Sequence, residues 1–238
     1  VHGTNEISKT AFRVPGDEAL KYWVKRFDRL QVSHTGIAEQ FGKQTLGFVD
    51  FDDQQYMLVS DESDRGVAAG TPWQKGPVPG EYAITGLGPV SIRIANFDYF
   101  NEVLEKAFLF RKTASEGTFY LFETGEGGNG ASLIVEDNPS MPQGRQGFGT
   151  VHHAAFRVHD RAVLDEWITW INNLRIPNSG YVNRHFFESL YIRVAPQILF
   201  ELATDGPGFM GDEPYEALGE KLSLPVPAEP LYLLKTPN

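Results

Sequence analysis

Thr10-Ala11-Phe12-Arg13-Val14, followed by Leu20 and Trp23, and Ala154-Ala155-Phe156-Arg157-Val158, followed by Leu164 and Trp167, are one pattern written twice. Phe12 and Phe156, Leu20 and Leu164, and Trp23 and Trp167 all lie 144 residues apart. A single offset that matches an alternating run and then a helical spacing marks an internal repeat, which decides the fold before any motif does. A weaker version, Ser91-Ile92-Arg93-Ile94 followed by Phe97, Phe100 and Leu104, lies between the two.

Each version reads as a half-buried strand, a polar break and an amphipathic helix. The helical face is Leu20, Trp23, Val24, Phe27 and Leu30 in the first copy and Leu164, Trp167, Ile168 and Ile171 in the last. Two or three short strands follow each helix. They include residues 46–51 and 56–60, then 119–122 and 131–135, then 186–193 and 198–203. The expected fold is α+β, built from three βαβββ units at residues 7–61, 87–136 and 149–205 that pair into curled sheets. Residues 62–86, rich in Gly and Pro, read as a surface linker. Residues 206–238 form a tail, expected as a short helix over 213–222 and then a Pro-rich strap.

Composition narrows the chemistry. The 238 residues carry 21 basic and 31 acidic side chains, a formal charge of −10, and no cysteine. Disulfide scaffolds, cysteine-ligated zinc and thiol catalysis are excluded. An acidic chain repels phosphate backbones, so no nucleic-acid partner is expected. No apolar run approaches the ~20 residues that span a bilayer, so no membrane partner is expected either. A hydrophobic content of 41% is too high for disorder. Residues 1–9 show no signal sequence, and a cytoplasmic location is expected. A chain that opens on Val1 rather than Met is expected to have lost a preceding segment.

The last copy concentrates the chemistry. His152 and His153 stand where its first strand begins, and neighbours on a strand face opposite sides, so one of the pair can point inward. Glu201 interrupts the apolar run Ile198-Leu199-Phe200-Glu201-Leu202-Ala203, where a charge is costly unless it is paired, hydrogen-bonded or metal-bound. A site of two His and one carboxylate suits iron(II) and leaves coordination positions free. The offset that joins Phe156 to Phe12 joins His153 to Lys9, and aligning Gln197 with Gln55 sets Glu201 on Val59; the matching place in the middle copy is about Pro89. The ligand-type residues are therefore peculiar to the last copy. Arg184 and Tyr191 add polar groups nearby, but seven residues apart they share a face only if a turn or bulge near His185 intervenes. Taken alone, a strand His pair is more often structural or on the surface, and a strand Glu is as readily on the exposed face of an edge strand.

The segments 149–158, Ser189-Leu190-Tyr191-Ile192-Arg193 and 199–209 resemble the last unit of ring-cleaving dioxygenases that act on hydroquinones, within the vicinal oxygen chelate (glyoxalase/bleomycin-resistance) superfamily. The resemblance runs over essentially the whole chain, including 73–79 and Asp212-Glu213-Pro214. It implies an iron(II) extradiol-type enzyme that opens hydroquinone or catechol-type diphenols with O2, as in aromatic catabolism. His153 and Glu201 would be metal ligands. His152 would be a proton carrier, Arg184 a cation at the substrate or oxygen, and Tyr191 an acid/base or hydrogen-bonding group. Family members resemble four-unit chains whose remaining His ligand lies near the start of the first unit, in a His-His-Ile-Thr type motif. This chain has no such motif, and its residues 3–15 resemble the start of the second unit. The third iron ligand is therefore expected from a missing N-terminal unit; the alternatives are that another chain, as in a homo-oligomer, completes the site or that this chain by itself is inactive. Two other readings use the same fold: a metal-dependent glyoxalase-like lyase or isomerase, and a metal-free module that binds an aromatic small molecule.

Overall fold

The structure is a computed structural model that describes residues 1–222. Strand, helix and three strands recur in that order. The first set is β1 (Glu6–Val14), α1 (Asp17–Leu30), β2 (His34–Gln40), β3 (Lys43–Val49) and β4 (Gln55–Ser60). The second is β5 (Gly86–Ile94), α2 (Phe97–Glu102), β6 (Arg111–Glu116), β7 (Phe119–Glu123) and β8 (Ser132–Asp137). The third is β9 (Ala154–Val158), α3 (Arg161–Asn173), β10 (Asn178–Asn183), β11 (Glu188–Ala195) and β12 (Ile198–Thr204). No described helix is long and apolar enough to cross a membrane.

The chain divides into two compact units. The first comprises Val1–Ala154 with Arg193–Leu199, and the second Ala155–Ile192 with the chain from Phe200 onward. In the first, eight strands form one sheet in the order β2-β3-β4-β1-β5-β8-β7-β6. β1 lies parallel to β4 and β5 parallel to β8, and the two sets join through the antiparallel pair β1–β5, with Ile7 opposite Ile92. That junction is tight: a Cβ on Gly88 would stand 2.9 Å from Val59 Cγ1 and 3.1 Å from the Ala11 Cβ, so only glycine lets the strands approach. The sheet curls until its outer hairpins meet, and the Phe41 backbone N–H donates to Glu116 Oε1 at 2.8 Å.

Helix starts follow local chemistry. Asp160 caps α3 by accepting from the Val163 N–H, and Asn96 caps α2 from the Tyr99 N–H. α1 begins after Gly16, which has no cap, and the Glu62 carboxylate takes the Asp17 N–H in its place. Leu20 and Phe27 on α1, and Leu164 and Ile171 on α3, are buried at matching positions. Leu30 departs from the expected apolar face: it ends the helix and is exposed. The 62–86 connection is not wholly superficial, because Arg13 pulls its start inward. Arg13 pairs with Asp61 and Asp64 and donates to the Val67 carbonyl, and all three side chains are buried.

The second unit holds the four-stranded sheet β10-β11-β12-β9. The helix expected over 213–222 is replaced by a single 3-10 turn, Tyr215–Ala217, between Pro214 and Gly219, which punctuate it on both sides. The expected Pro-rich strap lies outside the described residues.

Candidate functional site

Backbone geometry fixes how the first and last copies correspond. Gln31, Gly36, Phe41 and Asp53 adopt positive φ, and so do Arg175, Gly180, His185 and Gln197, each 144 residues later. Positive φ is uncommon outside glycine, so four coincidences at one offset mean that the copies match without insertion or deletion. This corrects the alignment of Gln197 with Gln55. Gln197 corresponds to Asp53, and Glu201 falls on Met57 rather than Val59. On the same offset Arg184 falls on Gln40, Ser189 on Thr45 and Tyr191 on Gly47.

Those first-copy positions define a concave wall. Gln40, Phe41, Thr45 and Met57, with Leu121 and Ile134 of the second copy opposite, line a cavity of about 40 Å³ in the first unit. It has room for a few water molecules and none for an aromatic ring. Two of its lining charges, Lys43 and Asp64, pair with each other, and Asp64 also holds Arg13. The last copy places Arg184, His185, Ser189 and Glu201 at the corresponding positions.

In the second unit Arg184, Ser189 and Glu201 gather around Tyr191, whereas His185 Nε2 pairs with Asp212 Oδ2 at 3.0 Å. Glu201 lies on β12, an interior strand of its sheet, and is 2% exposed. Ser189, fully buried on β11, donates its hydroxyl to Glu201 Oε1 at 2.5 Å. The Tyr191 hydroxyl also hydrogen-bonds Glu201. Arg184 Nε donates to the Tyr191 oxygen at 3.0 Å, with its guanidinium 5.0 Å from the ring centre. The turn that this pairing requires exists: His185 is left-handed at φ 70°, between β10 and β11. Burial and the adjacent Glu201 carboxylate raise the Tyr191 pKa above its usual value, against the lowering influence of Arg184 and Ser189. Tyr191 is therefore a phenol at neutral pH, a donor rather than a base.

The histidines stand differently from expectation. They precede β9 instead of opening it, so strand alternation does not separate them. Their Nδ1 atoms lie 2.9 Å apart with the rings perpendicular. One Nδ1 donates and the other accepts, so the two tautomers are linked. Gln146 secures this stretch by donating to the His152 and Gln197 carbonyls, while Gln197 donates to the Gly144 carbonyl at 2.5 Å. Sequence reasoning used Gln197 only for alignment and passed over Gln146 and Ser189. The constant offset carried the signal for Ser189.

Among the described residues no group of three or more His, Cys, Asp or Glu is placed to hold a metal ion. His153 belongs to the first unit and Glu201 to the second. In donor chemistry they suit iron(II); in number they are one short of a two-His, one-carboxylate set.

No family model matches the chain. It is 41% identical over 228 residues to MhqA of Bacillus subtilis, assigned as a ring-cleaving dioxygenase, covering 94% of this chain and 72% of that one. It is 26% identical over 226 residues to a chlorohydroquinone/hydroquinone 1,2-dioxygenase of Sphingobium indicum, covering 93% and 69%. A crystal structure of a dioxygenase from Bacillus subtilis superimposes with a TM-score of 0.84 at 31% identity, covering 94% of this chain and 70% of that one.

Proposed function

The chain belongs to the ring-cleaving dioxygenases of the vicinal oxygen chelate superfamily, and on that premise we propose that it opens hydroquinone- or catechol-type diphenols with O2 at an iron(II) held by His153 and Glu201, in the cytoplasm. The observation that carries the proposal is the buried Glu201 carboxylate, hydrogen-bonded by Ser189 and Tyr191, with Arg184 donating to Tyr191.

A further copy of the unit completes the site in this reading. β1 and β5 pair with each other, whereas among the described residues β9 ends its sheet with β12 as its one neighbour. A unit whose first strand adds to β9 as β5 adds to β1 would supply the facing wall and the third ligand. The match to MhqA leaves more than a quarter of MhqA's length uncovered, which is room for such a unit.

When bound, iron(II) supplies the one-electron chemistry that lets dioxygen react with an electron-rich ring. The protein's own groups do the rest. Arg184 offsets the negative charge of an ionised diphenol oxygen. Tyr191, kept protonated, turns its single O–H from Glu201 to a second substrate oxygen when the diphenol binds. His152 exchanges a proton through the Nδ1 contact with His153. The net change breaks one ring C–C bond and places both oxygen atoms of O2 in an unsaturated acid product.

The test is oxygen uptake by the anaerobically iron-loaded protein with its further unit present, offered hydroquinone or catechol. One O2 should be consumed per ring, and Glu201→Gln should lose iron and uptake together. An iron-replete protein that takes up no oxygen with any diphenol would refute the reading.

A further inference from the structure

Ser189 has no part in the mechanism above. We infer that it is a positioning residue that fixes the Glu201 carboxylate for the metal; the inference rests on the iron reading of this site.

The repeat provides an internal comparison. At the equivalent place in the first copy, Thr45 is also buried, and its hydroxyl donates to the Ala38 carbonyl at 3.0 Å. There the residue matching Glu201 is Met57, which has nothing to accept. In the last copy the hydroxyl leaves the backbone and goes to Glu201 Oε1 at 2.5 Å, a length typical of a charge-assisted O–H···O⁻ bond. The hydroxyl is retained at both places, and its target changes only where a carboxylate appears. Ser189 and Glu201 lie on adjacent strands and are both buried, so the bond is shielded from water and holds the carboxylate in one orientation. A ligand held this way meets the metal without first being ordered, and loss of such an outer partner typically weakens metal affinity about 10- to 100-fold.

Ser189→Thr and Ser189→Val differ in a hydroxyl and little else, and Thr45 shows that the fold accepts the branched side chain here. Crystal structures of both variants and the cobalt(II) affinity of wild type, both variants and Glu201→Gln, measured against a competing chelator with the further unit present, decide the matter. The expected result is a carboxylate turned away from its wild-type orientation and affinity down at least tenfold in Ser189→Val, with both preserved in Ser189→Thr. A Ser189→Val protein that keeps the carboxylate in place, or binds cobalt within twofold of wild type, overturns the inference. If Glu201→Gln binds as wild type does, or wild type takes no cobalt, the metal reading fails instead, and the carboxylate orientation alone decides the positioning role. Should Ser189→Val not fold, Ser189→Ala replaces it with the same criteria.

Discussion

Removing Arg13 and removing Arg157 is the same mutation made in two settings. Each arginine lies on the first strand of its copy, and each pairs with an aspartate 48 residues on, Asp61 or Asp205. The first pair is buried, with side-chain exposures of 5% and 10%, and Asp64 is drawn into it. The second is open, at 77% and 41%. Arg13→Ala leaves the Asp61 carboxylate without its cation, while Asp64 keeps Lys43, and breaking a buried pair in this way costs about 3–5 kcal/mol. For a chain of this size that is roughly 10 °C or more of melting temperature. Arg157→Ala leaves an aspartate that water reaches freely, and no measurable loss is expected. Urea unfolding combined with hydrogen exchange, read on peptides from β1–β4 and β9–β12, reports each copy separately. The reasoning extends to the proposed further unit. The middle copy shows what a neighbouring strand does to this arginine: Arg93, on β5, pairs with Glu136 of its own copy and with Glu6 of β1. Once a unit docks on β9, Arg157→Ala should become costly. Equal effects of the two mutations in this chain would refute the claim that burial rather than pairing sets the difference. An Arg157→Ala effect unchanged by the added unit would refute docking at β9.

Two further outcomes follow from the site. The Tyr191 pKa is raised by folding, so its contribution to stability is complete below the ordinary tyrosine pKa of about 10 and disappears as pH climbs through the folded value; ultraviolet phenolate titration of wild type against Tyr191→Phe should show the missing group ionising late, and an early-ionising Tyr191 would contradict this. The double variant Ser189→Thr/Glu201→Met restores the pair found in the first copy, Thr45 and Met57, and should raise stability by about 1–2 kcal/mol in thermal melts while abolishing metal uptake, as expected when a charge kept for function leaves a core; a destabilised variant would show that Glu201 serves the fold.

The parts of this fold that were legible in the sequence are those that bury apolar surface. Leu20 and Leu164 announced their helices, and the run around Phe200 announced β12 with a carboxylate inside it. The strands β2, β6 and β10 gave no such signal, because they lie at the outer ends of their sheets and read HTGIAEQ, RKTASE and NSGYVN, with little to bury. The pairing of Arg184 with Tyr191 was legible only as a condition. It needed a left-handed residue at His185, and histidine does not advertise that conformation as glycine would. The correct register of Glu201 was hidden for the same reason. Asp53 and Gln197 share a backbone shape and no chemistry, so identical glutamines two residues away gave a more attractive but wrong match.

That register also explains why one scaffold can carry a sealed wall in one copy and a reactive one in another. Between the first and last copies Gln40 becomes Arg184, Phe41 becomes His185, Lys43 becomes Phe187, Gly47 becomes Tyr191, Met57 becomes Glu201 and Val59 becomes Ala203. Ser189 keeps the hydroxyl of Thr45 and spends it differently. None of these changes touches the residues that hold the copy together, such as Leu164 and Ile171 under its helix. The polar wall is therefore an addition to a fold already stable by other means. Its charge needs a facing surface, and in the first unit such a surface comes from Leu121 and Ile134 of the neighbouring copy. On the reading proposed above, a further unit added at β9 would give Glu201 the equivalent surface.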